Sequence, residues 1–171
     1  EVVVNTPRHV TDLVELRADE LANALAMWAR RLRAVADDPR DLYPFCFLNQ
    51  GAAAGASLQH THAQIVGLPF VPPRLAARER AFDDGADPIA GDMVGPGHDR
   101  FVTAADGLVA WVPEVPPLTG TVRIAAQERS PGWDDATSFD AVAGVLLDVL
   151  RRIDGSFDGP AINLWLNQAR P

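Results

Sequence analysis

Apolar positions change their spacing several times along the chain, and each change predicts a new element. Residues 1–4 are largely β-branched and predict a strand, and residues 43–49 and 58–67 predict two more. Between residues 18 and 36 the apolar positions recur every three or four residues, as on one face of a helix. This stripe consists of Leu21, Leu25, Trp28 and Leu32. Residues 74–82 predict a short second helix.

The rest of the chain continues the alternation in a different order. Residues 83–99 contain Asp, Gly and Pro and predict an exposed loop. Strands are predicted at residues 107–112 and 121–126, a helix at 138–153 and a last strand at 161–166. Hairpin-like strands between helices favour an α+β fold, with an antiparallel sheet and packed helices, over a doubly wound parallel sheet.

This order of elements predicts two pseudo-repeated halves. The first half spans residues 1–82, the second spans residues 101–171, and residues 83–100 form the loop between them. The repeat lies in the order of elements alone, because no words of sequence recur. The first residues predict a strand that is already under way, so we expect the chain to be a piece of a longer protein.

Composition and charge narrow the class of protein. Of the 171 residues, 47% are hydrophobic and 22% are charged, which is typical of a soluble globular protein. The net charge of −8 argues against a nucleic-acid partner. No apolar run reaches the roughly 18 residues of a membrane span. Cys46 is the single cysteine, so no disulfide forms within the chain, and a cytoplasmic location is expected.

Polar side chains that could take part in binding or catalysis are concentrated in residues 49–64. Residues two apart on a strand face the same way, so His60, His62 and Gln64 are predicted to line one face. Three donor-capable side chains on one face suit a site that binds and attacks an anion. A His-x-His pair alone is equally typical of a metal site or of two unrelated surface histidines. The neighbouring Gln64, Asn49 and small-residue loop favour catalysis.

These residue types predict a reaction class. A neutral imidazole is a competent nucleophile toward phosphorus when a hydrogen bond fixes its other nitrogen. Gln64 can donate an N–H to a phosphoryl oxygen but cannot protonate a leaving group. The leaving group is therefore predicted to be a weak base already, such as a phosphate ester oxygen. The loop at residues 51–57, with the Gly55 backbone and the Ser57 hydroxyl, is predicted to cradle the same phosphates.

The run from Asn49 to Gln64 resembles the active-site segment of galactose-1-phosphate uridylyltransferases, the nucleotidyltransferase branch of the histidine-triad superfamily. Residues 3–16, with the run Pro7-Arg8-His9, resemble the same family. The resemblance implies a histidine-triad-like fold and an exchange of UMP between a UDP-hexose and a hexose 1-phosphate. It also implies a homodimer, or a complement between this chain and a missing N-terminal segment.

The resemblance implies roles for the matching residues. His62 matches the nucleophile that becomes a nucleotidyl-histidine, and Gln64 matches the glutamine that binds the transferred phosphoryl group. Asn49 and Ser57 match positions that contact phosphate.

The resemblance also implies metal sites. His9 and His60 match two ligands of a structural zinc site whose other ligands would lie upstream of Glu1. Glu79 falls one residue from an acidic ligand of a second metal site. Residues 124–129 contain no histidine where that second site would require one, and the later His-x-His strand is absent.

Alternatives to the uridylyltransferase stay open. The family's base-recognising region would lie before Glu1, so the choice between U and A is not indicated. A phosphorylase that acts on ADP-glucose or on dinucleoside polyphosphates would use the same histidine with inorganic phosphate as the acceptor. A non-enzyme alternative is a zinc-stabilised binding module, or an inactive fragment, in which His9 and His60 matter and His62 does not.

Overall fold

A computed structural model describes residues 1–128 and 139–167. Within these ranges the chain forms three α-helices and seven strands. In chain order they are β1 (Val2–Val4), α1 (Ala18–Ala36), β2 (Tyr43–Gln50), β3 (His62–Leu68), α2 (Pro73–Asp83), β4 (Phe101–Ala105), β5 (Leu108–Trp111), β6 (Arg123–Ala126), α3 (Asp140–Phe157) and β7 (Ile162–Leu166). The predicted first residue of α3, Ser138, lies outside the described residues.

The strands form two antiparallel sheets. The larger sheet has four strands in the order β1-β3-β2-β7, and the smaller has three in the order β4-β5-β6. The expected α+β class, with antiparallel sheets and packed helices, is confirmed. No helix in residues 1–128 or 139–167 combines the length and the apolar character of a membrane span.

One face of the four-stranded sheet forms the main core with α1 and α3. Cys46 and Leu48 of β2 and Ala63 and Ile65 of β3 are buried against the apolar stripe of α1. Burial raises the pKa of the Cys46 thiol to about 12, so this cysteine stays protonated and inert. On the opposite face of the sheet, Val2 and Val4 of β1 and Trp165 of β7 are exposed.

The last strand joins the first half of the chain. β7 pairs with β2, and α3 packs against α1, so elements from both predicted halves build one sheet and one core. The division of the chain into two halves around residues 83–100 therefore stays a prediction from the order of elements in the sequence.

The sequence analysis overlooked β4. This strand pairs with β5 through a tight turn at Asp106 and Gly107, which both have positive φ angles (52° and 78°). An Asp-Gly pair with this backbone is a strong hairpin signal, so the strand was detectable.

Asp92 ties the predicted loop to the smaller sheet. Its carboxylate accepts hydrogen bonds from Arg123 Nη1 (2.6 Å), the Glu114 N–H (2.8 Å), Trp111 Nε1 (3.0 Å) and Arg100 Nη1 (3.1 Å). Burial alone would raise the pKa of Asp92, but these donors outweigh it and hold the pKa below its ordinary value.

We expect the substitution Asp92→Asn to lower the free energy of unfolding by about 2 kcal/mol at neutral pH, because two guanidinium groups lose their counter-charge. A lowered folded-state pKa means that this stabilisation is present above the ordinary pKa of aspartate, about 4, and is lost as pH falls through the lowered pKa. Urea unfolding of both proteins across this pH range is the measurement.

The wild-type advantage should shrink as the pH falls below about 4. Asp99→Asn, at a side chain that is 87% exposed, is the matched control and should change stability little at any pH. An Asp92→Asn difference that is independent of pH would contradict the assignment.

Candidate active site

The face of the four-stranded sheet opposite the main core carries two rows of side chains that cross all four strands. Val4 of β1 pairs with His62 of β3, and Asn49 of β2 pairs with Asn163 of β7. Gln64 pairs with Phe47, and continuing this register by two residues places Asn49 opposite His62. The first row is thus Val4, His62, Asn49 and Asn163. The second row is Val2, Gln64, Phe47 and Trp165.

These rows bring together four polar residues: His62, Asn49, Gln64 and Asn163. His62 and Asn49 are neighbours in one row, and Gln64 lies two residues from His62 on the same face of β3. His62 is 3% exposed, whereas Asn49 and Gln64 are half-buried. Every donor that Asn49, Gln64 and Asn163 can offer is an uncharged amide. These three side chains can therefore donate hydrogen bonds to an anion without carrying a charge.

The imidazole of His62 is oriented by the preceding backbone. His62 Nδ1 lies 2.8 Å from the carbonyl oxygen of His60. A carbonyl oxygen only accepts hydrogen bonds, so Nδ1 must carry the proton in the neutral ring. Nε2 then keeps its lone pair. This is the arrangement that a histidine nucleophile requires.

The prediction that His60 shares a strand face with His62 and Gln64 is wrong. β3 begins at His62, and His60 lies in the bend before it. Two ring contacts explain the difference: His60 Nε2 lies 2.9 Å from the Thr6 carbonyl oxygen, and the His60 carbonyl is turned toward the His62 ring.

The backbone at Thr6 is itself held by a buried carboxylate at the start of α1. Glu20 accepts hydrogen bonds from Thr6 Oγ1 (3.0 Å), Arg8 Nε (2.7 Å) and the Arg17 N–H (2.9 Å). The Arg8 guanidinium first, and then the Arg17 N–H and Thr6, hold the pKa of Glu20 well below its ordinary value. Glu20 therefore stays ionised and keeps the turn that carries Thr6 and His9 in place.

Thr61, between the two histidines, is anchored separately. Asn5 Nδ2 donates to Thr61 Oγ1, the Thr61 N–H donates to the Val10 carbonyl, and Trp28 Nε1 donates to Asn5 Oδ1. Trp28, predicted as an apolar core residue of α1, is completely buried and also donates this hydrogen bond. Residues 60, 61 and 62 are thus each held by a different contact.

The small-residue loop turns tightly next to Asn49. Residues Ala52–Ala54 form one turn of 3₁₀ helix between Gly51 (φ 81°) and Gly55 (φ 88°). Both glycines adopt backbone angles with positive φ, which side-chain-bearing residues rarely adopt. A Cβ atom at Gly55 would lie 3.6 Å from Asn49 Nδ2, so the glycine brings bare backbone against that amide. Ser57 is exposed on the segment between this turn and β3.

Asn163 belongs to the site and was overlooked in the sequence. It donates from Nδ2 to Asn49 Oδ1 (2.9 Å) and to the Ala54 carbonyl oxygen (3.0 Å). No local motif marks it, because it lies 114 residues after Asn49 and reaches it only through the pairing of β7 with β2.

The two predicted zinc ligands lie side by side. The rings of His9 and His60 meet edge to face, with their centroids 5.4 Å apart. Since His60 Nε2 is bonded to the Thr6 carbonyl, its Nδ1 keeps the lone pair that a metal would need. Glu79 lies on α2, and within residues 1–128 and 139–167 no three His, Cys, Asp or Glu side chains are grouped as a metal site.

A shallow concavity of about 470 Å³ lies elsewhere, at the far end of β3, lined by Arg31, Arg40 and Gly67 among others. It includes neither His62 nor Asn49. It lies between α1 and the C-terminal part of β3.

Together these observations describe an α+β protein in which amide side chains and a glycine-flanked turn surround an oriented histidine. Residues 1–72 match the family model described as galactose-1-phosphate uridyl transferase, N-terminal domain. The resemblance noted in the sequence is thus confirmed over these residues.

Related proteins carry two names. The chain is 33% identical over 118 residues to the galactose-1-phosphate uridylyltransferase of Thermotoga maritima, covering 66% of this chain and 37% of that protein. It is 28% identical over 170 residues to the enzyme of the same name from Streptomyces lividans, covering 92% and 47%. It is 35% identical over 78 residues to the ADP-glucose phosphorylase of Arabidopsis thaliana, covering 46% and 22%. The chain thus spans less than half the length of each of these three relatives.

Solved structures agree on the fold. A uridylyltransferase structure superposes with a TM-score of 0.86 at 28% identity, covering 98% of this chain and 57% of that one. The Arabidopsis thaliana ADP-glucose phosphorylase, solved with bound ADP-glucose, gives a TM-score of 0.83 at 23% identity, covering 96% and 54%. The second likeness supports the fold alone.

Proposed function

We propose that the protein is a nucleotidyltransferase that exchanges UMP between a UDP-hexose and a hexose 1-phosphate through a covalent nucleotidyl-histidine at His62. The observation that carries the proposal is the 2.8 Å contact between His62 Nδ1 and the His60 carbonyl, which leaves Nε2 free to attack. The names of the relatives from Thermotoga maritima and Streptomyces lividans supply the substrate class.

The reaction proceeds in two balanced halves. His62 Nε2 attacks the α-phosphorus of the UDP-hexose, an N–P bond forms, and the P–O bond to hexose 1-phosphate breaks with its electron pair leaving on that oxygen. A phosphate oxygen of a second hexose 1-phosphate then attacks the same phosphorus, a P–O bond forms, and the N–P bond breaks with its electron pair returning to Nε2. Both leaving groups are weak bases, so neither half requires an acid at the position of Gln64.

Gln64 and Asn49 act on the transferred phosphoryl group. Both present neutral amides on the same face as His62, and each can donate N–H to a non-bridging oxygen as negative charge shifts in the transition state. Gly55 and Ser57 would bind the second phosphate through backbone N–H and hydroxyl groups. A lysine at this place could form ion pairs with the carboxylates of this acidic protein. Uncharged amide and hydroxyl donors do not form such pairs and stay available to phosphate.

A phosphorylase is the second candidate. The 35% identity to the Arabidopsis thaliana ADP-glucose phosphorylase spans 78 residues. In this reaction the same His62 would take AMP from ADP-glucose, and inorganic phosphate would replace hexose 1-phosphate as acceptor. Nothing in the two rows of side chains distinguishes the base, since Val2, Val4 and Trp165 can pack against either ring.

We further propose that His9 and His60 hold a zinc ion whose remaining ligands come from outside this chain. The adjacent rings and the available Nδ1 of His60 fit a zinc site to which this chain contributes two of the ligands. The zinc would stiffen the turn before β3, while the His60 carbonyl orients His62. A cytoplasmic homodimer, or a complement with an N-terminal segment, is proposed on the same resemblance.

We expect the complete protein to gain the mass of UMP when it is incubated with UDP-glucose and quenched at alkaline pH, which preserves a phosphoramidate. His62→Ala should abolish the gain, because the variant lacks the nitrogen that is proposed to attack phosphorus. ADP-glucose in a parallel sample identifies the base, and inorganic phosphate or galactose 1-phosphate as the discharging acceptor separates the two candidate reactions. Intact-protein mass spectrometry is the measurement.

His98→Ala is the matched control, because this histidine is exposed and contacts the adjacent residues Asp99 and Arg100. It should retain the full adduct. No adduct from either sugar nucleotide would reject covalent catalysis and leave the zinc-stabilised binding module as the better account.

Metal content gives an independent test of the zinc proposal. His9→Ala and His60→Ala should each lose most of the bound zinc and lower the thermal unfolding temperature, because metal binding contributes to folding. His62→Ala and His98→Ala should keep the metal. Elemental analysis of the complete purified proteins provides the measurement, and equal zinc in all four variants would overturn the ligand assignment.

A further inference from the structure

We propose that Asn163 is a positioning residue: it turns the side-chain amide of Asn49 so that the NH₂ group, and not the carbonyl oxygen, faces the phosphates of the bound nucleotide. The inference rests on the proposed function, in which Asn49 contacts those phosphates. It assigns a role to β7, an element of the second half of the chain.

The orientation begins at a backbone carbonyl. Asn163 Nδ2 lies 3.0 Å from the oxygen of Ala54. This oxygen can only accept, so the end of the Asn163 amide that faces it must be the NH₂ group. The amide of Asn163 therefore has one permitted orientation. Its hydrogen-bond partner alone decides which end of the amide is the NH₂ group.

The second N–H of the same group determines Asn49. Asn163 Nδ2 also lies 2.9 Å from the Asn49 side chain. A second donor at that place would leave two N–H groups facing each other, so the acceptor has to be Asn49 Oδ1. The Ala54 carbonyl thus fixes the orientation of the Asn163 amide, which in turn fixes the orientation of the Asn49 amide. No charged group takes part.

The remaining end of the Asn49 amide is consequently a donor. Asn49 Nδ2 lies beside Gly55, where an added Cβ would be 3.6 Å away, and Asn49 is the row neighbour of His62. An NH₂ group here attracts a phosphoryl oxygen, whereas a carbonyl oxygen in the same place would repel it. The same Asn163 bond to Ala54 holds the 3₁₀ turn that ends at Gly55.

The test is a double-mutant cycle on the complete protein. Asn163→Asp retains the shape of the side chain but can no longer donate, so the Asn49 NH₂ group should turn toward the new carboxylate and present its carbonyl oxygen to the nucleotide. The affinities for UDP and ADP are measured by calorimetry in the wild type, Asn163→Asp, Asn49→Ala and the double variant. Adduct formation at His62 is followed in the same four proteins.

We expect Asn163→Asp to weaken nucleotide binding about tenfold or more when Asn49 is present, and by about threefold or less in the Asn49→Ala background. The second comparison isolates the added negative charge, which acts in both backgrounds. Asn163→Leu is a neutral variant for the same cycle, in case the carboxylate destabilises the fold, and thermal unfolding checks each protein. Asn167→Asp, just beyond β7, is the control for charge and should have a small effect.

Equal losses in the two backgrounds would overturn the inference, because Asn163 would then act without Asn49. The outcome is separable from that of the proposed function. A wild type that forms the adduct but shows no coupling rejects the inference alone. A wild type that binds nucleotide with the expected coupling and forms no adduct rejects the covalent transfer and supports the inference.

Discussion

The account depends on one hydrogen bond, from His62 Nδ1–H to the carbonyl oxygen of His60. It decides which ring nitrogen carries the proton, and so which nitrogen can attack phosphorus. A side-chain partner could change its protonation state, but a backbone carbonyl cannot. The tautomer of the neutral ring is therefore a consequence of the backbone conformation of the two residues before β3.

That conformation is maintained by two sets of contacts. Glu20 at the start of α1 holds the turn at Thr6, whose carbonyl contacts the His60 ring. Asn5, bonded to Trp28 of α1, holds Thr61. Packing of α1 into the core thus limits the movement of the proposed nucleophile. Asn163 works in parallel from β7, so the helix and the last strand constrain different parts of one site.

Regular elements and the central motif could be predicted from the sequence, because both are local patterns. The α1 stripe and the strand predicted at residues 43–49 correctly indicated their elements, and His62, Gln64 and Asn49 do meet on one face. The position of His60 was wrong, because hydrogen bonds to its own neighbours override strand alternation before β3. Asn163 and Glu20 could not be found, since their partners are determined by tertiary pairing.

The most direct test of the central claim is to identify the ring nitrogen that carries phosphorus. The complete protein would be prepared with ¹⁵N-labelled histidine, loaded with nucleotide from the sugar nucleotide, and examined for coupling between ³¹P and ¹⁵N. We predict that the phosphorus is bonded to Nε2 of His62, with a proton retained on Nδ1. Phosphorus on Nδ1, or on any other residue, would contradict the account.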